Sequence, residues 1–159
     1  HMEHSKKSLE YLDPQTNEKY IPYVVEPSLG VERLVLATLL NAYHEETLEN
    51  KETREVLKLI PYLAPYKVTV LPLIKKLHSE KAIEIYNKLS KCFSTSYDET
   101  GSIGKRYRRS DAVGTPYAIT IDDDTLNNNT VTLRNRDTME QIVIKLDEVE
   151  KYIEERIKF

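Results

Sequence analysis

Five consecutive residues, Lys105-Arg106-Tyr107-Arg108-Arg109, set four positive charges beside an aromatic ring. Phosphate backbones draw such clusters, because Lys and Arg release condensed counterions on binding. A neighbouring tyrosine can stack on an unpaired base. The same run also suits a solvated helix face whose arginines pair with nearby acids. A second group, Glu26-Pro27-Ser28-Leu29-Gly30-Val31-Glu32-Arg33, reads as a strand end, a turn and a helix start. Gly30 permits close approach of a backbone or a flat ligand, Arg33 on the first helical turn can reach an anionic group, and Glu26 can receive an ammonium. Its other reading is a capped helix start with a surface ion pair. Asp122-Asp123-Asp124 carries three carboxylates, but strand neighbours alternate faces and do not converge on one ion. With Asn127-Asn128-Asn129 following, the segment is expected to be a solvated β-hairpin loop. His44 and His78 lack a partner at ligand spacing, and Cys92 lacks a CxxC companion or an adjacent base. All three are read as structural, and no metal site is expected.

The chain of 159 residues is long enough for one ordinary domain, or for a small domain with an appendage. With 40% hydrophobic and 31% charged residues it is neither collagen-like, low-complexity nor grossly disordered. The longest apolar stretch, Leu34–Leu40, falls far short of a membrane span. Charges run through the first twenty residues, so no secretory leader is expected. The lone Cys92 cannot form an internal disulfide, which fits a reducing cytoplasm. A net charge of −3 argues, taken whole, against a nucleic-acid binder. That average hides the local charge of Lys105–Arg109, and local charge is what a phosphate meets.

The elements that must position these residues follow from periodicity. His1-Met2 is expected to be a vector scar. Ser8–Leu12 and Lys19–Val25 read as two strands around the turn 13–17, a hairpin with no sheet to join. That is the expectation for the torn edge of a preceding domain. Val31–Tyr43 spaces its apolar residues as a mostly buried helix. Residues 44–55 read as an acidic solvated linker, and Leu57–Tyr66 as an irregular packed connector. From Lys67 the expected order is strand (Lys67–Leu73), helix (Ser79–Cys92), strand (Phe93–Tyr97) and basic helix (Ser102–Val113), stopped by Gly114 as a C-cap. Strands over Pro116–Ile121, Val131–Arg134 and Gln141–Leu146 follow, then a helix over Glu148–Lys158 capped by Asp147. The expected fold class is therefore α/β, a five-stranded mixed sheet with three helices.

Taken together, these segments resemble a known family. EPSLGVER (Glu26–Arg33) resembles the third signature motif of class II aminoacyl-tRNA synthetases, in the variant of the dimeric glycyl-tRNA synthetases. Ser8–Val25 is similar to the segment before that motif. APYKVTVLPL (Ala64–Leu73) resembles the entry strand of the class IIa anticodon-binding domain. The most specific passages are Ser102–Pro116 and Asp124–Glu140, which look like the glycyl enzyme's own version. The resemblance covers nearly everything after residue 7.

The resemblance implies a C-terminal fragment of such an enzyme. Residues 3–45 would be the tail of the class II catalytic domain, 46–66 a connector and 67–159 the anticodon-binding domain. It implies that Arg33 and Gly30 bind ATP and that Glu26 and Ser28 hold glycine. Lys105, Arg106, Tyr107, Arg108, Arg109, Arg134 and Arg136 become candidates for tRNA contact. It also implies ATP with Mg²⁺ as the parent enzyme's cofactor, tRNA(Gly) and glycine as its partners, a homodimer, and a cytoplasmic location. The first two class II motifs are absent from the sequence, so this chain alone is not expected to form glycyl-adenylate. Two other readings stay open: a free-standing RNA-binding protein of the same fold, and the same domain from a synthetase for threonine, proline or histidine.

Overall fold

The computed structural model describes residues 1–48 and 51–158, so residues 49–50 of the acidic segment and 159 of the expected last domain lie outside the described residues. The chain divides into two compact units, His1–Leu34 and Val35–Phe159.

The first unit holds a single helical turn, α1 (Met2–Ser5), and a hairpin of β1 (Tyr11–Leu12) and β2 (Lys19–Tyr20). Its register pairs Tyr11 with Tyr20, whose rings meet edge to face at 5.8 Å. The hairpin is where expected but only two residues deep on each side. A two-stranded ribbon with no neighbouring sheet has little to extend its ladder. Val31–Ala42 forms α2, the expected helix. Its expected burial is not found. Leu34, Leu36 and Leu40 are exposed and Ala42 is its one buried residue. Apolar spacing shows which face a helix offers, not whether another element covers it.

In the second unit, β3 (Tyr43–Thr47) and β4 (Thr53–Leu57) pair antiparallel, with Glu46 opposite Arg54 and His44 opposite Val56. This corrects the expected solvated linker over 44–55. The strand TREVL alternates, with Arg54 and Val56 buried and Thr53 and Glu55 exposed. The hairpin therefore has an inner face, and that face carries a charge.

The main sheet has the order β6-β5-β7-β8-β9, from β5 (Val68–Pro72), β6 (Thr95–Tyr97), β7 (Tyr117–Ile121), β8 (Thr130–Asn135) and β9 (Gln141–Lys145). β5 runs parallel to β6 and β7, and the other pairs are antiparallel, so the expected mixed sheet of five strands is present. On one face Val68, Val70, Ile119, Ile121 and Leu133 pack on α3 (Lys75–Leu89) and α6 (Val149–Ile157). Burying each such aliphatic side chain is worth about 1.5–3 kcal/mol. Strand residues of opposite parity, including Thr69, Thr120 and Arg134, lie on the other face towards α4 (Ile103–Val113).

Two helices differ from the sequence reading. α3 begins four residues before the expected Ser79, because the His78 Nδ1 accepts the Ile74 N–H at 3.0 Å and satisfies the helix entrance. Ser79 instead donates to Glu99 at 3.0 Å. The expected loop 122–129 is a short helix, α5 (Asp123–Asn128), so the unit has four helices after β5 rather than three. Asp122 and Thr125 form a reciprocal capping box, and Asn129 closes the helix in the left-handed region at φ 55°. No described helix is long and apolar enough to cross a membrane, and no described group of three or more metal-ligating side chains is assembled.

Candidate nucleic-acid interface

The basic run lies on α4, and 3.6 residues per turn split it between two faces. Arg106, Tyr107, Ser110 and Asp111 turn towards the sheet, while Lys105, Arg108, Arg109 and Ala112 turn away from it. Ser102 and Gly114 flank the helix as its caps, and the Gly114 φ of 87° is open to glycine at little cost. A Cβ at Gly114 would also stand 2.9 Å from the Leu57 carbonyl oxygen, so the β4 end passes directly over the helix C-terminus.

The inner face of α4 is polar, and its bonds are made. Tyr107 Oη lies 2.6 Å from Thr120 Oγ1, and Ser110 Oγ lies 3.0 Å from Thr69 Oγ1. Asp111, 1% exposed, accepts two bonds from Arg134 at 2.8 and 3.0 Å and one from Arg54 at 3.1 Å. The Arg134 guanidinium also covers the Tyr107 ring at 4.8 Å. Arg106 donates to the Pro72 carbonyl and twice to the Gly101 carbonyl, at 3.1 and 2.6 Å. Among described residues, no buried side-chain nitrogen or oxygen lacks a partner.

Three of the seven candidate tRNA contacts are therefore buried inside the unit: Arg106, Arg134 and Arg136. Arg136 donates to the Gly114 and Leu59 carbonyls at 2.7 and 2.8 Å and pairs with Asp137. Their donors tie loops and strands together and do not face solvent. Tyr107 is half-buried between Thr120 and Arg134. The three outward cations differ among themselves. Lys105 is exposed without a described ion-pair partner. Arg108 donates to the Thr53 carbonyl at 3.3 Å and to Glu52 at 3.1 Å. Arg109 donates two bonds to one Asp98 oxygen, at 2.9 and 2.6 Å, and a third to the Thr100 carbonyl. Partial burial would raise the Asp98 carboxyl, but the Thr100 N–H and the Arg109 fork outweigh it and hold Asp98 below the usual carboxylate range.

Two open grooves flank this ridge. One, of about 480 Å³, runs between α4 and the β5–β6 edge past Tyr66, Ser96, Tyr97, Asp98 and Arg109. The other, of about 280 Å³, lies between α4 and β4 past Thr53, Arg54, Glu55 and Arg108, and Arg109 borders both. Polar hydroxyls, tyrosine rings and long arginine side chains beside open grooves suit a phosphate-bearing, base-bearing ligand.

The four residues assigned to ATP and glycine are arranged differently. Glu26, Ser28 and Gly30 lie in the irregular stretch 21–30, and Arg33 is in the first turn of α2. All four are exposed, and among the described residues no side chain bonds to them. At Gly30 a Cβ would meet only the Arg33 side chain, at an ordinary 4.0 Å.

Sequence reasoning missed Arg54, Asp98 and Asp111. The inward parity of Arg54 within TREVL was a signal available for the first of them, while the partners of Asp98 and Asp111 are distant in sequence.

Residues 67–156 match the family model described as an anticodon binding domain. The chain is 59% identical over 159 residues to the glycine–tRNA ligase of Clostridium tetani, covering 100% of this chain and 34% of that protein. It is 60% identical over 159 residues to the glycine–tRNA ligase of Clostridium beijerinckii, with 100% and 34% covered. The chain thus spans about a third of the length of the curated relatives it matches. Among solved structures, the RNA binding domain of threonyl-tRNA synthetase from Cryptosporidium parvum is similar with TM-score 0.58 and 28% identity, covering 62% of this chain and 25% of that one. The five-stranded sheet, the basic helix docked on its polar face and the match over residues 67–156 agree, and the chain belongs to the anticodon binding domain family.

Proposed function

We propose that this chain recognises the anticodon of tRNA(Gly) as the C-terminal part of a glycine–tRNA ligase. One observation carries the RNA-binding part: Lys105, Arg108 and Arg109 form an outward ridge between two open grooves. Of the candidate residues, these three and the edge of Tyr107 meet RNA, while Arg106, Arg134 and Arg136 hold the helix and loops that present them. The much higher identity to glycine enzymes than to the threonyl neighbour favours glycine over the other amino acids.

The parent protein is read as a cytoplasmic homodimer that joins glycine to tRNA with ATP and Mg²⁺. Residues 3–45 are read as the tail of its catalytic domain and 46–66 as the link to the domain over 67–159. Arg33 and Gly30 are read as ATP contacts of that parent protein and Glu26 and Ser28 as its glycine contacts, and no catalytic step is assigned to this chain alone.

Titration of the chain against tRNA transcripts at several salt concentrations tests this reading. Tight preference for a transcript with a glycine anticodon is expected, with log affinity falling linearly against log salt. The Arg108→Ala/Arg109→Ala pair should weaken binding and flatten that slope by about 0.7–0.9 for each phosphate it no longer neutralises. Equal affinity for unrelated tRNAs would remove the anticodon assignment.

A further inference from the structure

The β3–β4 hairpin precedes the segment that matches the family, yet it grips α4 from two sides. On the inner side Arg54, 1% exposed, donates through Nη1 to Asp111 at 3.1 Å and to the Arg136 carbonyl at 2.9 Å. Its Nε and Nη2 hold the facing hairpin residue, Glu46, at 3.0 and 2.6 Å. Glu46 is steadied in turn by Lys58 at 2.6 Å. On the outer side the hairpin supplies the Thr53 carbonyl and the Glu52 carboxylate that hold the Arg108 guanidinium.

We infer that the hairpin is a working part of the RNA-binding surface, with Arg54 a positioning residue that sets the rotation of α4 and so aims Lys105, Arg108 and Arg109. The inference rests on the reading of α4 as the RNA-contacting helix. Its physical basis is the composition of the helix's inner face. An apolar stripe fixes a helix's rotation by packing, but the inner face here is Arg106, Tyr107, Ser110 and Asp111. Rotation is then fixed by directional bonds, and Asp111 is where bonds from the hairpin and from β8 converge. The Arg54 fork spans Glu46 and Asp111 at once, a geometry that a single ammonium cannot reproduce. A turn of α4 by a few degrees displaces the tips of its long outward side chains by much more than its axis. The hairpin thus acts on RNA affinity without touching RNA through Arg54.

The test uses the whole chain and a fluorescently labelled tRNA transcript bearing a glycine anticodon. Binding is measured for Arg54→Lys, Glu46→Gln and the Arg108→Ala/Arg109→Ala pair, at a temperature where circular dichroism shows each protein folded. Arg54→Lys is expected to weaken binding by about fivefold or more. It should also flatten the salt slope by about 0.7–0.9 for each phosphate that the misaimed cations fail to neutralise. Glu46→Gln, which loosens Arg54 at its partly exposed end, should change both in the same direction and by less. A role in stability alone would move the melting midpoint and leave affinity and slope of the folded protein unchanged. Unchanged affinity and slope in folded Arg54→Lys overturn the inference; if that variant does not fold, Glu46→Gln decides by the same criterion. Failure of the underlying reading looks different: the Arg108→Ala/Arg109→Ala pair would then also bind as the parent does, and both claims fall.

Discussion

The two faces of the five-stranded sheet are built on opposite principles. Towards α3 and α6 the strands present Val, Ile and Leu, and the interface is packed carbon. Towards α4 they present Thr69, Thr120 and Arg134 beside the buried Leu71 and Ala118, and hydroxyl pairs and ion pairs make the directional contacts. Carbon packing stabilises through area removed from water, and it fixes a helix by the fit of many side chains rather than by any one bond. Hydrogen-bonded charges each add less net stability, since desolvation offsets most of their attraction, but they demand one geometry. The first face makes the domain fold. The second sets where a basic helix points.

This contrast can be broken most sharply at Asp111. Its replacement by Ala strands Arg54 and Arg134 without their shared carboxylate, and a loss of about 3–5 kcal/mol in denaturant unfolding is expected. Ile153→Ala on the apolar face should cost about 2–5 kcal/mol by cavity formation. Only the Asp111 change should also disturb RNA binding by the fraction that remains folded. A loss at Asp111 below about 1 kcal/mol would mean that the polar face is dispensable for folding.

Gly114→Ala comes next, at about 1–3 kcal/mol, for a left-handed backbone and a Cβ pressed against the Leu57 carbonyl. Arg109→Ala should be nearly silent in stability, about 0–1 kcal/mol, because its side chain is 49% exposed and water screens its pair with Asp98. Its expected effect is on tRNA affinity, read by the same titration. The smallest effect concerns acid. Lys75, then Tyr97 and Ser79, donate to Glu99 and lower its pKa from 4.5 to about 2. A carboxyl depressed on folding contributes stability above its unfolded value and loses it as pH falls from about 4.5 through about 2. Glu99→Gln should remove that part of the acid-unfolding profile while leaving neutral-pH behaviour close to the parent's.

The apolar face was largely legible in the sequence, because period-2 strands and an apolar stripe of Ala82, Ile83, Ile85, Tyr86 and Leu89 announce a buried side, although Ile83 stays exposed. So was the end of α4, since Gly114 marks it. The polar face was not. Arg134 and Arg136 read as RNA contacts because a charge in sequence does not reveal its partner. Arg134 meets Asp111, 23 residues away, and Arg54 meets it 57 residues away. The hairpin was read as a linker because its acids dominate its composition, although its two buried positions, Arg54 and Val56, alternate as a strand should. The α5 helix was hidden in the same way: Asp122 and Thr125 form a capping box, but the run of Asp and Asn around them reads as a loop. Within the basic run, periodicity alone separates 105, 108 and 109 from 106. Only the placement of α4 tells which set faces out.

The polar docking of α4 also bears on motion. Helices seated by carbon open only when the core opens with them, whereas one seated by a few directional bonds can leave as a unit. Amide protons along Tyr107–Asp111 therefore belong to a lower-energy opening than those of Ile119, although Asp111 and Ile119 are both shielded from water. The helix proposed to meet RNA is then seated by bonds that can break without opening the apolar core.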